Sequence, residues 1–213
     1  KSMNVVSAKM DKQSGNVVLT FEQEMTIGAK YTLTYTIKAD GKIQVYADYV
    51  PTKEGLPLMP KFGMKMLVNS TMDNITWYGR GIYENYPDRK SSEFIGKYSL
   101  PLNEFVVNYP APQENGNRSD VRWISFTDGK LTLRVEGMQP LCVRAWPWME
   151  EQIEKAGHSY ELPTESDFIN VNIDLNIHGV GCNDGWGAQT LEKYTINANQ
   201  PYSYGFILSC EEE

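Results

Sequence analysis

Apolar and polar residues alternate with a period of two along most of this chain, which is the pattern of half-buried β-strands. Residues 31–37 place tyrosine, leucine and isoleucine at odd positions and threonine at even positions. The turn signal Asp40-Gly41 follows, and the alternation resumes over residues 43–49. Residues 169–177 alternate isoleucine, valine and leucine with asparagine and aspartate. The pattern therefore predicts many short strands joined by tight turns.

Two further hairpins and one helix complete the prediction. Asp128-Gly129 separates two alternating runs, and near the end residues 192–197 are expected to pair with residues 202–210. A helix is predicted over residues 147–156, because acidic residues occupy its first turn and Lys155 its last. Gly157 is expected to supply a left-handed cap. The fold class is all-β, a large antiparallel β-sandwich with one short helix, in a single domain over residues 1–213.

Charge and composition narrow the range of functions. Lys and Arg number 20 against 27 Asp and Glu, which gives a net charge of −7, so a nucleic-acid partner is not expected. No apolar run approaches the roughly 20 residues of a membrane helix, so no membrane partner is expected. With three dispersed cysteines and two histidines, no metal site is predicted. The first residues contain no apolar run of the signal-peptide type, and we expect the chain to be a piece of a longer protein.

Two segments interrupt the alternation and carry the candidate site. Residues 77–89 are predicted to form a loop rich in aromatic and charged side chains. Residues 178–187 place four glycines around Trp186, which leaves the indole without neighbouring side chains to cover it. An exposed indole can stack on the apolar face of a pyranose, whereas the alternative is an indole folded back into the core.

Polar residues of the second segment could assist such a sugar site. Asn183 and Asp184 flank the indole and could bond sugar hydroxyls. His178 ends the long strand, where it either orients a hydroxyl or is satisfied by the backbone. Glycoside hydrolysis needs two carboxylates at a defined separation, and no such pair can be assigned from spacing. No nucleophile elbow occurs either. No catalytic residue is therefore predicted.

Three motifs resemble one known family. Residues 79–89 read GRGIYENYPDR, residues 112–123 read PQENGNRSDVRW, and residues 179–187 read GVGCNDGWG. Their sequence, order and spacing are similar to those of the LacZ-type β-galactosidases of glycoside hydrolase family 2. The similarity spans nearly the whole chain.

The resemblance implies a specific place in such an enzyme. The chain would be the C-terminal, small-chain domain, a supersandwich of the galactose-mutarotase-like class, with the remaining domains of the parent enzyme as partners. The catalytic glutamates would lie in a separate barrel domain, and the magnesium and sodium ions of the family mainly in other domains, so no cofactor is expected in this chain. Trp186 would contact the sugar or aglycone of a β-galactoside.

The resemblance also implies that residues 79–89 form a mobile loop beside the active site. Gly79 opens the motif, Gly81 would be the pivot, and Glu84 and Arg89 would anchor the loop through ion pairs or backbone hydrogen bonds. Cys182 and Asn183 depart from the family pattern, so an acidic role there would rest on Asp184 alone.

The opening motif of the family's domain lies before this chain begins, so the sandwich is expected to be truncated at its N-terminal end. The exposed edges would then favour self-association of the fragment. Two other functions remain open: a stand-alone carbohydrate-binding module, and an aldose mutarotase using His178 with Glu84. The sequence does not decide between the cytoplasm and the periplasm of a bacterium.

Overall fold

The alternating segments form eleven antiparallel strands in the computed structural model, which describes residues 3–181, 184 and 186–212. The strands are β1 (Met3–Gln13), β2 (Asn16–Met25), β3 (Ala29–Ile37), β4 (Ile43–Pro51), β5 (Lys61–Asn69), β6 (Asn74–Gly81), β7 (Phe94–Pro101), β8 (Arg118–Thr127), β9 (Leu131–Trp146), β10 (Phe168–Ile177) and β11 (Tyr202–Glu212). The helices are α1 (Leu102–Phe105) and α2 (Glu150–Lys155), with 3₁₀ turns at Ser159–Glu161 and Glu192–Tyr194.

The strands belong to one sheet that folds over on itself. Its main path runs β1-β2-β3-β4-β11-β9-β8-β6-β7, and β10 joins β9 to β5 off that path. The sheet has two arms that meet at β9: one contains β1–β4 and β11, and the other contains β10 and β5. One hydrophobic cluster contains buried side chains from both arms, including Tyr49, Phe62 and Val171. The architecture is therefore the predicted antiparallel sandwich, with its core enclosed between the two arms.

Strand β9 connects the two arms. Its residues 131–137 pair with β11, whereas its residues 142–146 pair with β10. The strand bends between these halves, at Gly137. The backbone approaches itself so closely there that a Cβ on Gly137 would lie 2.3 Å from the carbonyl oxygen of Gln139. The register with β8 also shifts at this level, as expected for a β-bulge.

Aromatic side chains fill much of the core, and the hydroxyls of two central tyrosines have partners. The Phe62 ring lies 5.7 Å from the ring of Tyr49 and 5.6 Å from that of Tyr204, both edge-on. Tyr49 Oη donates to the carbonyl of Ala198 at 2.9 Å, and Tyr204 Oη donates to that of Ile173 at 3.0 Å. These hydroxyls are buried at little cost because each is hydrogen-bonded.

The polar face of β10 is buried as well, against an ionic cluster. Arg144, with a side chain only 3% exposed, donates to Glu114 at 2.6 Å, to Glu150 at 2.8 Å and to Asn172 at 2.8 Å. Asp174 lies on the same face and is also buried. Burial raises the pKa of Asp174 to about 7, although Lys61 and Arg144 act in the opposite direction.

Several predictions of local structure are confirmed. Strands β3, β4 and β10 match the alternating segments, and Asp128-Gly129 lies between β8 and β9. Helix α2 falls within the predicted helical segment, and α1 adds a single turn.

Three details were wrong. Residues 192–197 do not pair with the last strand; β11 lies between β4 and β9 instead. Helix α2 is followed by Ala156 in an extended conformation. Gly157 does not have a positive φ, so it provides no left-handed cap. Residues 77–81, predicted as loop, are the end of β6.

Candidate functional site

The two segments singled out in the sequence follow neighbouring parts of the fold and contact each other. The first leaves β6 at Gly81 and the second leaves β10 at Ile177. Tyr86 of the first and Val180 of the second pack in one small apolar cluster, together with Ile177. The fold therefore brings residues about 90 positions apart into one surface region.

The glycines near the start of the first segment permit close packing. A Cβ on Gly79 would lie 2.8 Å from Cα of Val121, and a Cβ on Gly81 would lie 2.8 Å from the Tyr98 ring and 2.9 Å from Trp77. Neither glycine has a positive φ. Glycine is required at these positions by the lack of space.

Glu84 and Arg89 are joined by an ion pair across the turn in the second half of the first segment. Arg89 Nη2 lies 2.5 Å from Glu84 Oε1, which also accepts a hydrogen bond from Tyr109 Oη. Glu84 Oε2 accepts the backbone N–H of Gly116 at 2.7 Å. Burial, and then the bond to Glu84, raises the pKa of Tyr109. Both carboxylate oxygens of Glu84 are thus engaged.

The middle of the first segment is anchored to the loop before β8 and to β8 itself. Asn85 is fully buried, and its Oδ1 accepts the backbone N–H of Ser119 at 2.8 Å. Its own N–H donates to the carbonyl of Asn117 at 2.8 Å, and the Asn117 amide donates back to the Asn85 carbonyl at 2.6 Å. These paired bonds fix the backbone in the middle of the segment.

Asp88 joins the first segment to the second, a role that the sequence did not reveal. Its Oδ1 accepts the backbone N–H of Val180 at 3.2 Å, and its Oδ2 accepts that of Gly181 at 2.7 Å. A Cβ on Gly179 would lie 2.7 Å from the Asp88 carboxylate, so only glycine leaves room for it. The residues of this contact lie 92 and 93 positions apart, which no local pattern can report.

Trp186 lies on the surface and is 95% exposed. The alternative that its ring is a core plug is therefore wrong. Asp184 shapes the turn that carries it, because Asp184 Oδ1 accepts the backbone N–H groups of Trp186 at 2.8 Å and of Ala188 at 3.2 Å. Asn183, the other predicted sugar contact, lies outside the described residues.

His178 is half-buried at the base of the second segment. Its backbone N–H donates to the carbonyl of Pro60 at 2.8 Å, and its Nδ1 lies 2.7 Å from the carbonyl oxygen of Gly179. Nδ1 must carry a proton to make that bond, which leaves Nε2 as the acceptor of the neutral ring. No hydrogen bond or ion pair joins His178 to Glu84 within the part of the chain that the structure describes.

The polar groups of this surface are largely engaged in bonds within the protein. The carboxylates of Glu84, Asp88 and Asp184 all accept internal hydrogen bonds, and the two segments expose the aromatic side chains of Tyr83 and Trp186. Among residues 3–181, 184 and 186–212, no three His, Cys, Asp or Glu side chains are grouped so as to hold a metal ion. No described helix is long and apolar enough to cross a membrane.

The fold of this chain is found in a known structure. The structure superposes on a galactose 1-epimerase from Lactobacillus acidophilus with a TM-score of 0.54, covering 96% of this chain and 66% of that one. Sequence identity is only 9%, so this likeness concerns the fold alone. The predicted galactose-mutarotase-like sandwich is confirmed.

The sequence comparison identifies the family. Residues 1–208 match the family described as beta galactosidase small chain, and the chain belongs to that family. It is 36% identical to a beta-galactosidase of Priestia megaterium over 83% of its length, and 33% identical to one of Pseudoalteromonas haloplanktis over 98%. The matched regions are 17% and 19% of those relatives, so the chain spans about a fifth of their length.

Proposed function

We propose that this chain forms one wall of the substrate site of a β-galactosidase and supplies binding geometry rather than the reacting carboxylates. The exposed indole of Trp186 carries this proposal. It stands on a turn of the second segment that Asp184 holds, and that segment packs against the first segment, whose backbone is held by Asn85 and Glu84. Fixed loops on a rigid sheet are suited to present a binding side chain.

In this arrangement the indole face stacks on the sugar or on its aglycone. The rigid ring offers a large apolar contact area, and covering it stabilises the complex by about 25 cal/mol for each Å² removed from water. His178 and the neighbouring Asn183 and Asp184 supply hydrogen bonds to sugar hydroxyls. Hydrolysis itself uses carboxylates of another domain of the parent enzyme.

Substitution of the indole in the β-galactosidase that contains this chain tests the proposal. Trp186→Ala is expected to raise KM for lactose about tenfold, which corresponds to about 1.4 kcal/mol, while the melting temperature stays unchanged. Trp186→Phe retains part of the ring and should recover part of the loss. Tyr160→Ala removes another exposed aromatic side chain, 78% exposed on Ser159–Glu161, and should leave KM unchanged. Unchanged lactose kinetics in Trp186→Ala would disprove the role.

We propose that residues 79–89 also shift within the same wall when substrate enters, against the hydrogen bonds that hold Asn85 to Asn117 and Ser119. Gly79 and Gly81 lie where this segment leaves β6, and the Glu84–Arg89 ion pair closes its turn. A shift of this segment changes the space beside the indole as substrate enters. Hydrogen exchange of residues 82–89 with and without a galactoside inhibitor measures it, and identical exchange in both states would contradict the proposal.

We also propose that the chain self-associates when it is separated from the rest of its parent enzyme. Nearly all of β1 is exposed, including Met3, Val5 and Met10, and a cavity of about 440 Å³ opens beside β2, β3 and β5. Exposed strands with apolar side chains pair readily with other copies. Light scattering at rising concentration should show oligomers, which the double substitution Val5→Lys and Met10→Lys reduces. A monomer at high concentration would contradict this.

A further inference from the structure

We infer that Asp88 is a positioning residue that sets the place of Trp186 by locking the two site segments together. The inference rests on the proposed binding role of Trp186 and concerns how that role is controlled. Its basis is the carboxylate that bonds two consecutive backbone N–H groups, those of Val180 and Gly181, at 3.2 and 2.7 Å.

The base of the second segment is closed independently of Asp88. Thr190 Oγ1 donates to the carbonyl of Gly179 at 3.0 Å, and the N–H of Gly179 donates to the carbonyl of Tyr194 at 2.8 Å. The outgoing and returning limbs are therefore joined at Gly179. Beyond that point, the carboxylate of Asp88 holds the outgoing limb at Gly181, five residues before Trp186.

Space enforces the same contact. A Cβ on Gly179 would lie 2.7 Å from Cγ and Oδ2 of Asp88 and 2.9 Å from Cγ2 of Thr190. The backbone therefore approaches the carboxylate closely only because residue 179 is glycine. A side chain there would push Asp88 and Thr190 apart. It would break the hydrogen bond from Gly181 to Asp88 and the hydrogen bond from Thr190 to the carbonyl of Gly179.

On the first segment, Asp88 is held in place by its neighbours in sequence. Tyr86 is fully buried two residues before Asp88, with the Arg89 guanidinium 5.1 Å above its ring centre. Asp88 is thus held between a buried ring and the Glu84–Arg89 ion pair. A displacement of the first segment must carry the Asp88 carboxylate with it, and the bonded Gly181 follows. The indole and the segment beside it consequently respond to substrate as one unit.

Asp88→Asn is the main test, in the β-galactosidase that contains this chain. The substitution keeps the shape, but Nδ2 cannot accept a hydrogen bond, so one of the two N–H groups loses its partner. We expect kcat/KM for a nitrophenyl galactoside, whose aglycone reaches the indole, to fall about tenfold through KM. In a Trp186→Ala background the same substitution should change it less than about twofold, because the group being positioned is gone.

Two variants make the test specific. Gly179→Ala crowds the same contact and should reproduce the effect of Asp88→Asn, including its disappearance in the Trp186→Ala background. Asp128→Asn removes an equal charge from a carboxylate that also accepts two backbone N–H groups, those of Lys130 and Leu131 in the turn between β8 and β9, and its effect should be the same with and without Trp186. An equal loss for Asp88→Asn in both backgrounds would overturn the inference.

A direct readout separates this inference from the proposed function. Fluorine NMR of the fluorotryptophan-labelled enzyme gives a Trp186 resonance, assigned with Trp186→Phe. Asp88→Asn and Gly179→Ala should shift or broaden it, and Asp128→Asn should not. An unmoved resonance in Asp88→Asn overturns the inference. A different result is that the resonance moves in Asp88→Asn but Trp186→Ala leaves the kinetics unchanged. In that case Asp88 does position Trp186, and the proposed binding role of the indole is wrong.

Discussion

Arg89 and Glu84 form an ion pair at 2.5 Å across the turn that faces the glycine-rich segment. The same glutamate accepts the backbone N–H of Gly116, so a single carboxylate joins that turn to the loop preceding β8. Its side chain is only 10% exposed, which protects both contacts from water. The geometry of the turn therefore depends on a charge that has little access to solvent.

Glu84→Gln should destabilise the protein by about 1–3 kcal/mol, because a nearly buried charge-assisted contact is replaced by a weaker one. Urea unfolding measures this change, and limited proteolysis within residues 82–90 should become faster. Glu104→Gln, an exposed glutamate on α1, is the matched control and should stay within about 0.5 kcal/mol. Equal stability of the two variants would show that the Glu84 contacts contribute nothing.

Gly81→Ala should destabilise the protein by about 1–3 kcal/mol, since the added methyl group meets the rings of Tyr98 and Trp77 at under 3 Å. Gly157→Ala is the control: its nearest neighbour would be Glu161 at 3.6 Å, so the substitution should be neutral or slightly stabilising. Thermal unfolding of both variants distinguishes crowding from a general effect of losing glycine. A stable Gly81→Ala protein would mean that the two rings can move aside.

Asp174 should make stability depend on pH. Its pKa rises from 3.8 to about 7 on folding, so the folded state binds the proton more tightly than the unfolded chain does. The contribution is complete below pH 3.8 and is lost as the pH rises through about 7. The difference corresponds to at most about 4 kcal/mol.

Asp174→Asn removes this titration. Its free energy of unfolding should fall less steeply than that of the wild type between pH 4 and pH 8, and urea titrations at closely spaced pH values measure both slopes. Asp128→Asn changes an exposed carboxylate whose pKa is lowered by backbone hydrogen bonds, and should leave this slope in place. Parallel curves for Asp174→Asn and the wild type would contradict the raised pKa.

Local patterns predicted the strands well, but not all of their partners. Strands β3, β4 and β10 follow from strict alternation and nearby turns, which lie within the same stretch of sequence. Strand β11 pairs with β4 and β9, and neither partner is its neighbour in sequence. Residues 192–197 resembled a suitable partner because they are close in sequence, which is a weak guide in a sheet with long crossovers.

The candidate site was predictable to a similar degree. The exposure of Trp186 follows from its glycine neighbours, because these have no side chains to cover the ring. The contact of Asp88 with Gly181 depends on how β6 and β10 are placed in the folded sheet, and no spacing within either segment encodes it. Likewise, the burial of Asp174 required knowledge of the ionic cluster that covers the polar face of β10.

Strand β9 makes the two arms of the sheet depend on each other. Its first half belongs to one arm of the sheet and its second half to the other, with the bend at Gly137 between them. Severing the backbone at that bend would deprive both arms of a central hydrogen-bonding partner at once. Neither piece would retain an intact sheet, so we expect the two arms to unfold in one transition rather than in succession.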